Sequence, residues 1–245
     1  VDVLTFPDSP SGRTRIDSVL MAQKVKNVTG FEVMPHICCR DKNAIAMRST
    51  FLGASINDIN NFLIITGDPI PVMARQVVKS VFNFDSVGLM RIADEMNSEA
   101  LKDSPLTYGG AINQSRRRIE SEIKRVQKKM EAGAEFFLTQ PVFTAEDAER
   151  LRRVKEETGA RILCGIMPLV SRKNALFMKN EISGVNVTDE VIERYPENAD
   201  REDGENVGVE LAKEMIAATR DFADGYYFSF PFNRTYLLKR IIQEV

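Results

Sequence analysis

Seven short apolar runs, each followed by a longer amphipathic stretch, constrain this 245-residue chain more than any other feature. The runs are Asp2–Phe6, Glu32–Cys38, Asn61–Thr66, Leu106–Ala111, Glu135–Gln140, Arg161–Met167 and Tyr226–Phe230. Their length suits strands. In the stretch Arg116–Ala132, the residues Ile119, Ile123, Val126 and Met130 recur at spacings of 4, 3 and 4, which is one helical face, and Gly133 follows as a stop. Asp147–Thr158 and Val207–Phe222 repeat that style, while Glu197–Glu205 reads as a polar loop before the last long helix. Nearly continuous apolar strands separated by helices predict a parallel sheet.

The count narrows the choice. A doubly wound open sheet accommodates seven strands, but its G-x-G-x-x-G fingerprint is absent. A closed βα barrel needs eight strands, in about 250 residues. The first residues, "VDVLTF", already read as a strand with no lead-in. The expectation is a single domain over residues 1–245, a (β/α)8 TIM barrel whose first βα unit lies upstream of Val1.

Composition excludes several classes. A formal net charge of −2 gives no electrostatic case for binding nucleic acid or a membrane surface. No apolar run approaches the roughly 18 residues of a membrane span. Cys38, Cys39 and Cys164 are odd in number and lack metal-type spacing, which fits reduced thiols in the cytoplasm. His36 is the only histidine, which argues against a His-based metal site, and no metal is expected. No G-x-S-x-G elbow supports a serine hydrolase.

In a barrel, chemistry sits at the C-terminal ends of the strands. Reading there gives Thr5 and Asp8, His36, Thr66-Gly67-Asp68, Ala111 and Asn113, Gln140, Pro168 and Ser171, and Asn233-Arg234. Gln140 is the odd member, an amide delivered by an apolar strand. An amide both donates and accepts, so it suits a planar heterocycle with a donor–acceptor edge. Each feature also has a plainer reading. Asp68, before Pro69, suits a cap on its own turn. His36 in an apolar strand suits a satisfied core residue. Arg118, Glu122, Arg125 and Lys129 form one stripe, either a solvated face or a grip on a pyrophosphate and ribose. Asn174 and Met178 share a helix face, to cover a ligand or simply to pack.

Seven stretches, "DVLTFPDSP", "PHICCRDKN", "LIITGDP", "GGAINQ", "EAGAEFFLTQPVF", "GIMPLVSRKNALF" and "FPFNR", together resemble the methylenetetrahydrofolate reductase family, in family order over nearly the whole chain. "CRDKN" and "TQPVF" look most like the reductase half of bacterial proteins that also carry a homocysteine methyltransferase module. The resemblance implies a βα barrel holding FAD and reducing 5,10-methylenetetrahydrofolate to 5-methyltetrahydrofolate, by hydride transfer from reduced FAD. It implies reduced folate and NAD(P)H or another electron donor as partners. A homo-oligomer and a fused or partner methyltransferase module stay open.

By motif, Asp68 resembles the aspartate near flavin and pterin, and is the first candidate for a catalytic acid within this chain. Thr5, Phe6, Asp8, His36, Thr66, Gly67, Phe82 and Ala111 match flavin-contacting positions. Glu122, Arg125, Lys128 and Lys129 match positions holding the adenine ribose and phosphates. Gln140 resembles the glutamine that recognises folate, and Asn174, Met178 and Arg234 fall at substrate-side positions. Three departures accompany these matches. The family's general-acid glutamate has no counterpart here, Met178 stands for an aromatic residue, and Ile112 stands for a tyrosine. Hence the alternative of a non-catalytic or partner-dependent flavin-binding subunit of a redox complex. A Schiff-base lyase is disfavoured, because no predicted strand ends in lysine.

Overall fold

All seven apolar runs form strands in the computed structural model, which describes residues 1–182, 184–198 and 200–243. They are β1 (Val3–Phe6), β2 (Glu32–Cys38), β3 (Asn61–Ile65), β4 (Thr107–Ile112), β5 (Phe136–Pro141), β6 (Ile162–Ile166) and β7 (Gly225–Phe228). The helices are α1 (Ser18–Thr29), α2 (Ala44–Ser55), α3 (Ser86–Ser98), α4 (Ile119–Glu131), α5 (Ala145–Thr158), α6 (Arg172–Glu181), α7 (Asp189–Glu193), α8 (Arg201–Thr219) and α9 (Leu237–Ile242). A helix after each strand returns the chain to the same end, so paired strands run parallel. The fold class is therefore α/β with parallel strands, as the periodicity requires.

The chain divides into two compact units. The first comprises Val1–Ala111 and Gln127–Glu135, the second Ile112–Val126 and Phe136–Val245. In the first, β1 pairs with β2, β2 with β3, and β3 with β4. Val33, Ile37, Phe62 and Ile64 of the strands, Met47 and Phe51 of α2, and Leu89 and Met90 of α3 are all buried. The Phe51 and Phe62 rings meet edge-on, 5.2 Å between centroids. In the second, β5 pairs with β6 and β6 with β7. Its core gathers Phe137, Ile162, Leu151, Val154, Ile216 and Tyr195. Among the described residues β1 pairs with β2 alone and β7 with β6 alone.

Capping explains where helices start. Asp17 accepts from the backbone N–H groups of Val19 and Leu20 at the head of α1. At the head of α5 the Thr144 hydroxyl accepts from the Asp147 N–H and donates to the Asp147 carboxylate. The expectation of a loop over Glu197–Glu205 is corrected by the same physics. Asp200 accepts from the Asp203 N–H, and Glu202 and Asp203 lie in the first turn, so α8 begins at Arg201. β7 also stops earlier than expected, at Phe228, because Pro231 opens a 3-10 turn and lacks an N–H for a sheet ladder. Among the described residues no helix is long and apolar enough to cross a membrane.

Candidate functional site

Most of the predicted flavin positions belong to the first unit. Thr5, Phe6 and Asp8 are half-buried at the end of β1 and beyond it. Asp8 accepts from the Cys38 N–H at 3.1 Å, which ties the loop after β1 to the end of β2. Asp68 does not cap its own turn. Its carboxylate accepts from the Ser11 N–H at 2.6 Å, from a residue 57 positions earlier. The plain reading of Asp68 is therefore replaced by one in which it joins two loops. Thr66 accepts from the Ser86 N–H through its hydroxyl. Gly67 has φ +94, and a Cβ there would lie 2.9 Å from the Cys38 Cβ, so both backbone geometry and space demand glycine.

His36 is a buried strand residue whose Nε2 finds no partner among the described residues. It is thus in the core, yet not satisfied there. Burial pulls its pKa from the ordinary 6.5 down to about 4, so the imidazole is neutral near pH 7. Burial pushes the Cys38, Cys39 and Cys164 thiols up to about 12, which leaves them protonated, and all three are free.

A residue not singled out from the sequence holds these loops together. Arg40 is 2% exposed. Its guanidinium makes a two-pronged contact with Asp41 at 2.8 and 2.6 Å and donates to the Asp68 carbonyl and the Ser9 carbonyl, each at 3.1 Å. Its own carbonyl accepts from the Val81 N–H at 2.7 Å. Phe82 follows with φ 37, a conformation rare for a bulky side chain.

The basic helix is only partly a solvated face. Arg118 and Lys128 are exposed. In the first unit, Lys129 is buried and donates to the Ala111 carbonyl at the end of β4. In the second, Glu122 is buried, accepts from the Asn113 N–H at 2.9 Å, and pairs with Arg116 at 2.8 Å and Arg125 at 3.7 Å.

Gln140 owes its position to an irregularity. The β5–β6 register runs Phe137↔Ile162 and Leu138↔Leu163, then shifts to Pro141↔Gly165. This is a bulge, which re-aims a side chain. The Thr139 hydroxyl accepts from the Gly165 N–H at 2.8 Å. A Cβ on Gly165 would lie 2.9 Å from the Thr139 carbonyl and 3.0 Å from that of Gln140, so only glycine admits the bulge. Gln114, fully buried, donates to the Gln140 and Pro141 carbonyls and braces it. The Gln140 side chain is half-buried and makes no hydrogen bond among the described residues.

The other predicted substrate residues are more committed. Asn174 is buried and its Oδ1 accepts from the Val170 N–H at 3.2 Å. Met178 is buried on the same face of α6. Arg234 lies 3.1 Å from Glu205, with its guanidinium over the Phe232 ring. Glu205 also accepts from Tyr236 at 2.6 Å and Arg201 at 2.9 Å. Burial would raise the Glu205 pKa, but the bonds from Tyr236 and Arg201 and the charges of Arg201 and Arg234 outweigh it, so the carboxyl sits below its ordinary value. No group of three or more His, Cys, Asp and Glu is placed to hold a metal ion among the described residues.

The family model for methylenetetrahydrofolate reductase matches residues 3–244. The chain belongs to that family. A methylenetetrahydrofolate reductase relative, 5,10-methylenetetrahydrofolate reductase of Salmonella typhimurium (strain LT2), is 24% identical over 174 residues, 70% of this chain. The match covers 55% of that relative, so the chain spans about half the length of the curated protein it resembles. Among solved structures, an uncharacterized protein from Clostridium thermocellum that binds two copies of 5-methyl-5,6,7,8-tetrahydrofolic acid superposes with a TM-score of 0.55 at 16% identity, over 99% of this chain and 95% of that one. A 2,3-dimethylmalate lyase superposes with a TM-score of 0.50 at 14% identity, over 92% of this chain and 62% of that one. At these identities the two likenesses show the fold alone. Methylenetetrahydrofolate reductase membership rests on the family model.

Proposed function

We propose that this chain reduces 5,10-methylenetetrahydrofolate to 5-methyltetrahydrofolate as a flavin-dependent reductase. The observation that carries the reading is Gln140. A bulge gives up one residue of strand pairing to present an amide whose side chain makes no hydrogen bond among the described residues. A pterin ring offers the donor–acceptor edge that such an amide recognises.

The residues of the first unit fit FAD. The unpartnered Nε2 of neutral His36 offers a buried polar atom to a ligand edge. Thr5, Phe6, Asp8, Thr66, Gly67, Asp68, Phe82 and Ala111 would hold the ring system, with Lys128 and Lys129 toward the phosphates. Bound FAD supplies a two-electron hydride carrier, reloaded by a reduced nicotinamide or another donor. Asp68 is the candidate to deliver the proton that opens the five-membered folate ring at N10, a step worth roughly 10²–10⁴-fold in rate. Met178 would cover the folate, and Asn174 would hold the loop after β6 through Val170.

Gln140→Ala tests the reading. Losing a partner for a buried polar edge costs roughly 1–3 kcal/mol. Titration with 5-methyltetrahydrofolate should show that loss with flavin content unchanged. Equal affinity in wild type and variant removes Gln140 from folate recognition.

A further inference from the structure

Asp8, Asp68 and Phe82 lie on loops that follow β1 and β3, and the Asp68 carboxylate joins the two through the Ser11 N–H. A second tie comes from Arg40. The Arg40 guanidinium reaches the carbonyl of Ser9, next to Asp8, and the carbonyl of Asp68 itself. Its backbone carbonyl holds the Val81 N–H, next to Phe82. Asp41 occupies the remaining prongs of the fork and supplies the counter-charge. Ser9 and Ser11 both carry positive φ, 44 and 56, a strained backbone that persists only where neighbours over-determine it. The Arg40 contact to Ser9 and the Asp68 contact to Ser11 are those neighbours.

We propose that Arg40 is a positioning residue for the reductase reaction: its guanidinium sets the relative placement of Asp8 and Asp68 through the Ser9 and Asp68 carbonyls, while its backbone carbonyl holds the Val81 N–H beside Phe82 whatever the side chain. This rests on the reading above, in which those residues face flavin and folate. Lysine cannot substitute, because a single ammonium on a flexible stem cannot span Ser9, Asp68 and Asp41 together. Arg40 acts through Asp68, so its effect disappears once the Asp68 carboxylate is gone.

The test compares Arg40→Lys, Asp68→Asn and the double variant in the flavin-loaded full-length protein. Arg40→Lys should fold and retain flavin. Folate reduction should fall about a hundredfold, the cost of a roughly 1 Å misplacement. The flavin midpoint potential should shift in the same direction as in Asp68→Asn. The double variant should be no worse than Asp68→Asn, whereas independent structural damage would add. A ligand-free readout is amide exchange at Ser11, which should quicken in Arg40→Lys, while Val81, held by the backbone carbonyl of residue 40, serves as the internal reference. Unchanged exchange, or additive losses in the double variant, overturns the proposal. Wild-type protein that binds neither flavin nor folate overturns the reductase reading instead, and exchange still decides whether Arg40 sets these loops.

Discussion

Among the buried charges of each unit, one draws several segments together, and these two have opposite sign and different surroundings. In the first unit the charge is the cation of Arg40, 2% exposed and shared between the Ser9 and Asp68 backbone carbonyls and the carboxylate of its chain neighbour Asp41. In the second it is the anion of Glu205, 5% exposed but held by long side chains that reach in from the surface. Arg201, the nearer of its two arginine partners, is itself mostly solvent-exposed. Backbone partners cannot swing away when the charge is removed, so they are left unsatisfied. Side-chain partners relax into water. The first hub should therefore be costly to break and indifferent to salt, and the second cheap to break and salt-sensitive.

The largest effect should come from Arg40→Ala, which strands the Ser9 and Asp68 carbonyls. Urea unfolding should show a loss of about 3 kcal/mol, unchanged between low salt and about 0.5 M, where the Debye length is on the order of 4 Å. A loss that fades with salt would make the two hubs alike and end the contrast.

Acid separates the units next. The His36 pKa is lowered from the ordinary 6.5 to about 4, so the unfolded chain binds its proton first. The stability from keeping this imidazole neutral is present above about 6.5 and is lost as pH falls toward about 4. Between pH 7 and pH 5 the loss should be about 2 kcal/mol. Glu205 is depressed instead, so its contribution is present above the ordinary carboxylate value and fades only as pH falls through its lower folded value. His36→Gln should flatten the first phase and leave the second. An unchanged acid limb in that variant would assign the first phase elsewhere.

The smallest effect belongs to Glu205→Gln. It keeps a side-chain oxygen for Tyr236 and loses only the charge facing Arg201 and Arg234. The melting temperature should drop by about 2 °C at low salt and recover most of it at high salt. A drop larger than that of Arg40→Ala would reverse the comparison.

The strands were legible because burial on both faces writes an apolar run that no helix of the same length needs. Gly30 and Gly159 close α1 and α5 with positive φ, as a stop signal should. The head of α8 reads as loop in the sequence because its first turn is acidic, unless Asp200 is recognised as its cap. At the site, Asp68 and Gln140 stood out as polar groups after apolar runs. Arg40 did not, because its importance lies in which carbonyls it reaches, and Ser9 and Asp68 are 31 and 28 positions away. Glu205 was hidden for the same reason, since Tyr236 comes 31 residues later. Lys129 and Glu122 were seen as a charged stripe, but spacing alone could not show that each bends back onto the backbone near the end of β4.

The bulge in β5 bears on how such a protein could change what it recognises. A regular strand is a counting device, in which exchanging the residue that faces a ligand means moving every residue after it. Here the count is reset between Leu138 and Pro141, while Phe137 and Leu138 stay locked to β6. Position 140 is thereby uncoupled from the packing that precedes it. Selection, or an engineer, can rewrite the side chain presented at that point as a local edit, provided Gly165 is left alone.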